Sequence, residues 1–343
     1  MADRRSWWLP VGVVALVAAA LAGLMIGPAG PPSWRVPLAL LDHFPLIDVE
    51  SGVSTAEWNI VWRIRAPRVA LGIIVGAMLS VAGAAYQGVF RNPLVDPYQL
   101  GAAAGAGLGA TLVYTGLRDV TESWVFDPAP VVAFVFAVAT VFVTYVVGAA
   151  FGGHGSSVRL VLAGVAVVSF VTAVQTFILQ RNVEVVREVY SWILGRLSTA
   201  NWGDVVMVLP YVTISMVVLL LHRRHLDLFR VGEDEAATLG APVARVRLIV
   251  VIAATLGTAA VVSVSGLIGF VGIVVPHMIR LLAGASYRRL LPLSIVLGGA
   301  FLVLADIPGR VLTDPAETPI GVVTAFFGAP FFVFILRSRS AAK

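Results

Sequence analysis

The stretch LIVVIAATLGTAAVVSVSGLIGFVGIVVPHMI, residues 248–279, decides the fold class of this chain. It carries no charged side chain. A helix that crosses a bilayer needs about 20 apolar residues, so the stretch is too long for one span and too short for two. Helix-breaking residues interrupt its second half, at Gly266, Gly269, Gly272 and Pro276. The pattern predicts one full span, a glycine-rich bend, and a short helix that continues through Arg280 to Gly284.

The composition extends this conclusion to the whole chain. Of 343 residues, 59% are hydrophobic and 13% charged, against about 45–50% and about 25% in soluble domains. A mean hydropathy of +0.92 with no polar half excludes a soluble enzyme and a soluble domain on one anchor. The absence of cysteine excludes disulfides, thiolate metal sites and cysteine nucleophiles. We therefore expect an all-α integral membrane protein that forms one transmembrane domain over residues 1–343.

Further charge-free runs set the number of spans. With 248–279 divided in two, the count is ten. The first run follows Arg4 and Arg5 and could be a secretory signal, but it lacks a convincing small-residue cleavage site, so we interpret it as a retained span. Apart from 248–279, the charge-free runs are Leu9–Pro32 (the first run), Val69–Phe90, Pro97–Leu117, Pro128–Val158, Leu160–Gln180, Val205–His222, Leu290–Ala305 and Thr318–Leu336.

Charge asymmetry gives the orientation, because basic residues near span ends tend to stay in the cytoplasm. With the N-terminus inside, the inner segments hold 15 basic and 6 acidic residues and the outer segments hold 9 and 13. Both termini are then cytoplasmic, in the cytoplasmic (inner) membrane. The basic residues lie scattered at the ends of apolar runs, a pattern that indicates membrane topology and not nucleic-acid binding.

An internal echo, the recurrence of one glycine and proline spacing, suggests a structural repeat. Gly83, Pro93 and Gly101 recur with the same spacing as Gly266, Pro276 and Gly284. The offset covers five predicted spans, an odd number, so the two halves would insert in opposite orientations. Such inverted five-helix repeats are common in transporters. Three matches in a glycine-rich sequence could also arise by chance.

The longest predicted inner segment, 222–247, carries a short helix. Glu233, Asp234 and Glu235 stand at its start, where the helix dipole favours negative charge, and Gly240 with Pro242 ends it. Most charged loops are simple connectors. A compact helix held between two spans is, however, a shape that can receive a force from a partner.

Five motifs in this order, at the ends of predicted spans, resemble the FecCD-type permeases. These are the membrane subunits of ATP-binding cassette importers for iron–siderophore complexes, haem and cobalamin. The resemblance runs from about residue 60 to residue 337. Its motifs are Arg65-Ala66-Pro67-Arg68, Asn92-Pro93-Leu94-Val95-Asp96-Pro97, the acidic loop, Gly269-Phe270-Val271-Gly272 leading to Pro276-His277-Met278-Ile279-Arg280, and Glu317-Thr318-Pro319-Ile320-Gly321-Val322.

The resemblance implies a set of partners. A second permease subunit, most simply an identical one, would pair with this chain around a translocation path in the membrane. Two ATPase subunits, which hold ATP and Mg²⁺, would dock on the cytoplasmic side, and a substrate-binding protein would dock outside. This chain would bind no cofactor of its own. The loop 222–242 would be the coupling segment, through Glu233, Asp234, Glu235, Ala236, Leu239 and Gly240.

The same resemblance implies roles at both mouths of the path. Arg65, Arg68 and Arg310 would pair with carboxylates of the binding protein, as bidentate arginines do. Interfacial anchoring of the second span is the alternative for Arg65 and Arg68. The cytoplasmic gate would consist of one turn at Asn92, Pro93 and Leu94 and a second, glycine-rich loop at Ser156 and Ser157, where the register is uncertain.

One span carries a polar stripe. Thr172, Thr176 and Gln180 are spaced by four, with Ser169 and Gln175 nearby. We expect Thr172, Gln175 and Thr176 to line the path, which the family places beside this helix. Interhelical hydrogen bonds are the alternative.

The sequence lacks the signatures of several other classes of protein. The chain has no phosphate-binding loop and no protease motif, so we expect it not to be an enzyme. The resemblance implies a transport subunit whose partner hydrolyses ATP. The five histidines lie in separate segments, and we expect no metal site. Asp306 is interpreted as a cap at a span end, which leaves no buried carboxylate for an ion-coupled secondary transporter, the alternative of another class. A scaffold would need neither gate nor coupling helix. The expected cargo is a ferric siderophore, with haem or cobalamin as alternatives.

Overall fold

The structure is a computed structural model that describes residues 7–43, 50–117, 127–150, 157–312 and 316–340. Over these ranges it is helical and contains no β-strand, which confirms the all-α prediction. Widened, π-helical turns occur within α3 and directly after α4. The helices are α1 (Trp8–Met25), α2 (Val36–Asp42), α3 (Thr55–Val89), α4 (Ala102–Leu112), α5 (Ala129–Ala150), α6 (Ser157–Arg181), α7 (Val186–Ile193), α8 (Trp202–Leu221), α9 (Arg223–Phe229), α10 (Glu233–Thr238), α11 (Val243–Ser265), α12 (Val271–Ala283), α13 (Tyr287–Val311) and α14 (Ile320–Ser340).

Seven of the described helices are long and apolar enough to cross a membrane: α1, α3, α5, α6, α8, α11 and α13. Three more helices, α4, α12 and α14, occupy the remaining predicted span positions. α12 has 13 residues, so it is about 20 Å long at 1.5 Å per residue. That is shorter than a hydrocarbon core of about 30 Å.

The prediction for residues 248–279 is confirmed. α11 ends at Ser265, the chain bends through Gly266–Phe270, and α12 follows and ends one residue before Gly284. Gly266 has φ +67 and Phe270 has φ +68. Such left-handed angles cannot continue a helix, and a Cβ on Gly266 would collide with the Trp192 carbonyl oxygen. The glycine is therefore required at the point where the two helices separate.

Two helices begin at other residues than the charge-free runs do. α3 begins before Val69, because Ser54 and Glu57 form a capping box that starts it at Thr55. α4 begins after Pro97, because the Asp96 carboxylate accepts the Tyr98 N–H at 2.9 Å and holds a turn. Local hydrogen bonds, which hydropathy does not report, decide both positions.

Helices α3 and α11 form the centre of the bundle. In their most apolar windows 83% and 78% of the residues are buried, whereas the value for α1 and α6 is 17%. α3 packs against α13, α11 and α12, and α4 packs against α5. Most of α6 therefore faces outward, toward lipid or another chain.

Helices α3 and α13 approach each other closely where they cross, at Gly76 and Gly298. A Cβ placed on either glycine would lie less than 3.0 Å from the carbonyl oxygen of the other. Real Cβ atoms do not approach so closely. Glycine at both positions lets the two backbones touch, as small residues do at membrane helix interfaces.

The internal echo does not fall on equivalent positions. Gly83 lies inside α3, whereas Gly266 lies in the bend after α11. Gly101 precedes α4 and Gly284 follows α12. These glycines serve different backbone needs, so the matched spacing is not evidence for a repeat.

We expect Gly76→Ala to lower the thermal stability of the purified protein, because the added methyl group must push α3 away from α13. The cost of overpacking is about 1–3 kcal/mol. Gly269→Ala is the matched control, since a Cβ there has no neighbour within 4 Å. Equal unfolding midpoints for the two variants in detergent would contradict the close crossing.

The turn at Asp96 predicts a pH dependence. Burial raises the pKa of the Asp96 carboxyl to about 6, although the Tyr98 N–H opposes this. A raised pKa means that the folded protein favours the protonated form, so this contribution to stability is lost as pH rises toward and past 6. Asp96→Asn keeps the acceptor and cannot ionise. We expect it to stabilise the protein by about 1–2 kcal/mol at pH 7.5, and the gain to shrink as pH falls to 4. A gain that does not vary with pH would contradict this explanation.

Candidate functional site

Four charged side chains meet at the end of the bundle where α3 begins and α13 ends. Arg68 donates from Nε and Nη2 to the two carboxylate oxygens of Asp306, at 2.8 Å each, and from Nη1 to both oxygens of Glu317, at 2.9 and 2.8 Å. Arg310 donates from Nε to Asp306 at 2.7 Å. Two guanidinium groups and two carboxylates balance in charge. We call these four residues the charge cluster.

Burial distinguishes the members of the charge cluster. Asp306 and Arg310 are each 3% exposed and Arg68 is 7% exposed, whereas the Glu317 side chain is 33% exposed. The interpretation of Asp306 as a cap at a span end is therefore wrong. α13 continues past Asp306 to Val311, and the carboxylate points inward to the two arginines.

A buried carboxylate does not make the protein an ion-coupled carrier. Such a carrier needs a carboxylate that binds and releases its ion in turn. Asp306 contacts two guanidinium groups, which neutralise its charge and occupy its oxygens. It is a structural partner of the arginines.

Arg65 lies beside the charge cluster and has a different set of partners. Its Nη1 donates to the carbonyl oxygens of Leu24 and Met25 at 2.8 and 3.1 Å, and its Nη2 donates to those of Gly27 and Ala29. The last carbonyls of a helix have no partner within the helix. Arg65 supplies the missing donors at the end of α1.

The burial of Arg65, Arg68 and Arg310 restricts the docking role predicted for them. All three are buried and each donates to several acceptors within the chain, so none is an exposed docking charge. A polar cavity of about 140 Å³ does reach the charge cluster, beside Arg68, Glu317 and Arg196. Arg196, which belongs to none of the sequence motifs, adds a positive charge there. Docking stays a prediction, and it would have to use this cavity.

The turn predicted as a cytoplasmic gate is well ordered by hydrogen bonds. Asn92 Oδ1 accepts the Leu94 N–H at 3.0 Å, and Pro93 lies between them. Buried Gln87 donates from Nε2 to the Val95 carbonyl at 3.3 Å and to the Gly272 carbonyl at 2.9 Å. Gln87 thus joins the turn to α12. The sequence offered one signal for it, a single amide near the end of an apolar helix.

The second predicted half of the gate is not described. Ser156 lies outside the described residues. Ser157 begins α6, but its side chain is not described. The role predicted for this pair stays a prediction.

The polar stripe on α6 divides into two faces. Thr172 and Thr176 lie on the exposed face, as does Ser169. Gln175 instead is 8% exposed and donates to Thr111 Oγ1 of α4 at 3.0 Å. Gln175 is thus an interhelical hydrogen-bond donor in this chain, and its predicted place in the path stays a prediction. The role of the two threonines stays a prediction.

The predicted coupling segment forms a short helix attached to the bundle. In α10, Glu233 makes an ion pair with buried Arg247 of α11, and Ala236 is buried. Asp234, Glu235 and Leu239 are exposed, as is Gly240, which has φ +83. The helix therefore has one attached face and one open face.

A second attachment joins this loop to α13. Asp227 of α9 accepts Ser286 Oγ at 2.9 Å and the Tyr287 N–H at 2.8 Å. A carboxylate at this place satisfies the first N–H groups of a helix and its dipole. α13 therefore carries the coupling loop at its start and the charge cluster near its end. No sequence pattern indicated the role of Asp227, which is 59 residues from Ser286.

Metal binding requires several His, Asp or Glu side chains around one point. No group of three His, Asp or Glu side chains within them is placed to hold a metal ion. Two of the predicted non-ligand histidines, His222 and His225, lie side by side with ring centroids 5.6 Å apart.

Comparison with known proteins gives the family. Residues 14–338 match the FecCD transport family. The chain is 41% identical over 291 residues to the cobalamin import system permease protein BtuC of Halobacterium salinarum, covering 85% of this chain and 77% of that protein. It is 38% identical over 296 residues to the hemin transport system permease protein HmuU of Yersinia pestis, covering 84% and 86%.

A solved structure shares the fold. It is an inward-facing conformation of a metal-chelate type ABC transporter, with a TM-score of 0.80 and 28% sequence identity, and the match covers 96% of this chain and 98% of that one. The match extends over nearly all the helices described above. By sequence and by fold, the chain belongs to the FecCD transport family.

Proposed function

We propose that this chain is the permease subunit of an ATP-binding cassette importer that moves a metal chelate inward across the cytoplasmic membrane. The family match over residues 14–338 carries the proposal. The relatives named for cobalamin and hemin import support a chelate as cargo. A ferric siderophore is the cargo we propose first, with haem and cobalamin as the alternatives to test.

The proposed topology has ten spans with both termini in the cytoplasm. The seven helices Trp8–Met25, Thr55–Val89, Ala129–Ala150, Ser157–Arg181, Trp202–Leu221, Val243–Ser265 and Tyr287–Val311 supply seven spans, and α4, α12 and α14 supply the other three. The order of a long helix, a short one and two long ones occurs in α3–α4–α5–α6 and again in α11–α12–α13–α14, which supports an inverted repeat better than the glycine spacing does. The basic inner segments support the orientation.

The proposed partner in the membrane is a second copy of the chain, with the path between the two copies. α6 and α14 expose large apolar side chains, among them Phe170, Phe177 and Phe326. Lipid could cover such a surface. Thr172 and Thr176 add hydroxyls to the same exposed face of α6, although the Thr176 hydroxyl already donates to the Thr172 carbonyl at 2.8 Å.

The proposed docking site for the binding protein is the cavity beside the charge cluster. A carboxylate that entered it would meet Arg196 and Arg68 and would compete with Glu317, the most exposed member of the cluster. Exchange of one carboxylate for another keeps the buried charges balanced, so the desolvation cost of a lone arginine does not arise.

The proposed ATPase contact is the open face of α10. Asp234, Glu235 and Leu239 offer two negative charges and one apolar side chain, while the Glu233–Arg247 ion pair fixes the helix to α11. A push on α10 would also reach α13 through α9 and Asp227. This connection supports a mechanical role for the loop.

The first experiment measures ATP hydrolysis by the chain in lipid nanodiscs with its co-expressed ATPase and binding protein. Ferric siderophore, haem and cobalamin are supplied in turn. We expect a stable complex whose hydrolysis responds to one loaded binding protein, since that protein and the ATPase act through the same permease. Failure to assemble with an ATPase would contradict the proposal.

A paired substitution tests the coupling face. We expect Asp234→Ala/Glu235→Ala to weaken ATPase association about tenfold or more, because rim charges steer docking and interface charges slow release. The thermal midpoint of the permease alone should not change, since both side chains are exposed. Surface plasmon resonance measures the association.

The control for this test removes the same charge elsewhere. Glu50→Ala/Glu184→Ala changes two exposed carboxylates on the predicted outer side and should leave ATPase association unchanged. If both double variants bind the ATPase like the unaltered chain, α10 is only a connector.

A further inference from the structure

A second polar cavity, of about 280 Å³, lies at the end of the bundle opposite the charge cluster. Its volume is far above the roughly 10–15 Å³ that one water molecule needs. The end of α3, the end of α9, α12 and the start of α13 enclose it. By the charge asymmetry this end faces the cytoplasm. We call it the arginine pocket.

Three guanidinium groups line the arginine pocket, those of Arg91, Arg230 and Arg280. Arginine stays protonated in proteins, so all three are cations. Asp227 is the carboxylate placed near them, 3.6 Å from Arg230 Nη1, and its oxygens already accept from Ser286 and from the Tyr287 N–H. The pocket therefore keeps an excess of positive charge.

Two polar atoms of the pocket lack partners. Arg280 Nη1 is buried and has no hydrogen-bond acceptor among the described residues. Gln87 is 3% exposed, and its Oε1 has no donor in the described part of the chain, although its Nε2 is satisfied twice. Buried polar groups without partners are uncommon in native proteins. A ligand that fits here offers acceptors to the arginines and a hydroxyl donor to Gln87.

The backbone also brings an arginine to this place at some cost. Arg91 has φ +50, in the left-handed region. Its N–H and that of Asn92 bond back to the carbonyls of Gly88 and Gln87, as at many helix ends. Glycine is the usual residue at such a position, and strained non-glycine residues cluster at functional sites.

We propose that the arginine pocket binds the phosphate of an anionic phospholipid from the cytoplasmic leaflet. The arginine fork matches phosphate oxygens in geometry and charge. Basic pockets between helices on the cytoplasmic side suit anionic headgroups. Met278, Leu281 and Leu282, next to Arg280 on α12, are exposed apolar side chains that can contact acyl chains. A glycerol headgroup adds the hydroxyl that Gln87 Oε1 can accept.

The test measures lipid binding by the full chain alone in detergent, so its result does not depend on the transport function. Native mass spectrometry follows titration with phosphatidylglycerol, phosphatidylcholine or inorganic phosphate. We expect phosphatidylglycerol to bind about tenfold more tightly than phosphatidylcholine, and Arg91→Gln/Arg280→Gln to remove that preference. Arg224→Gln/Arg245→Gln, which removes the same charge from exposed positions outside the pocket, should retain it.

Two further variants distinguish a loss of lipid binding from a loss of the folded chain. Arg230→Gln changes a half-exposed side chain and should weaken phosphatidylglycerol binding without loss of the folded chain. Arg91→Lys/Arg280→Lys keeps both charges and should preserve part of the preference.

Each other outcome would overturn the proposal. Equal loss in both glutamine double variants would indicate general attraction to the basic face. Saturation by inorganic phosphate, with no preference for phosphatidylglycerol, would assign the pocket to free phosphate. Unchanged lipid binding together with weaker ATPase association in Arg91→Gln/Arg280→Gln would assign it to a carboxylate of the ATPase.

Discussion

The buried ion pair of Arg68 and Asp306 is the interaction on which the arrangement of helices depends. It joins α3 to α13 at one end of their crossing, and the contact of Gly76 with Gly298 brings the same two helices together further along. Breaking a buried ion pair by removing one partner costs about 3–5 kcal/mol, because the other charge stays buried. Arg310 extends the pair to α1 through the Gly23 carbonyl at 2.8 Å. Three helices are thereby held in one orientation.

Helix α13 connects the two faces of the membrane. Asp227 caps its first residues, and its last turns carry Asp306 and Arg310. A helix of 25 residues is about 37 Å long at 1.5 Å per residue, enough to cross the hydrocarbon core. The contacts at its two ends therefore connect α9 to the charge cluster through one helix, and a displacement of α9 would reach the charged groups by this route. Packed interfaces respond to such shifts by switching between discrete arrangements.

Hydropathy and charge predicted which parts of the chain form helices, although not the residues at which α3 and α4 begin. Residues 248–279 were divided correctly, because the absence of charge reports the bilayer and glycine reports the bend. The partners of the polar groups could not be predicted. Arg68 and Asp306 are 238 residues apart, and a single sequence holds no sign of such a contact. Asp306 was therefore assigned to a span end, when burial and two arginines define it.

The polar stripe on α6 shows a second limit of prediction from the sequence. Thr176 and Gln175 are adjacent in sequence, but 3.6 residues complete a helical turn, so their side chains diverge by about 100°. One faces outward and the other reaches α4. A pattern of spacing identifies a face of a helix, yet it does not say which neighbour that face meets. The same holds for Gln87, whose acceptors lie in two other elements.

The bend between α11 and α12 carries polar backbone groups that no helix satisfies. Non-helical backbone in a bilayer is tolerated where protein or water surrounds it, and never where it meets acyl chains. Here the Ile268 N–H and carbonyl both pair with the Tyr98 hydroxyl, at 3.2 and 3.1 Å, and the Arg196 N–H donates to the Ser265 carbonyl at 2.8 Å. The backbone groups of Ile268 and the Ser265 carbonyl are thus paired within this chain, so the bend meets this requirement there without a contribution from lipid or from a partner subunit.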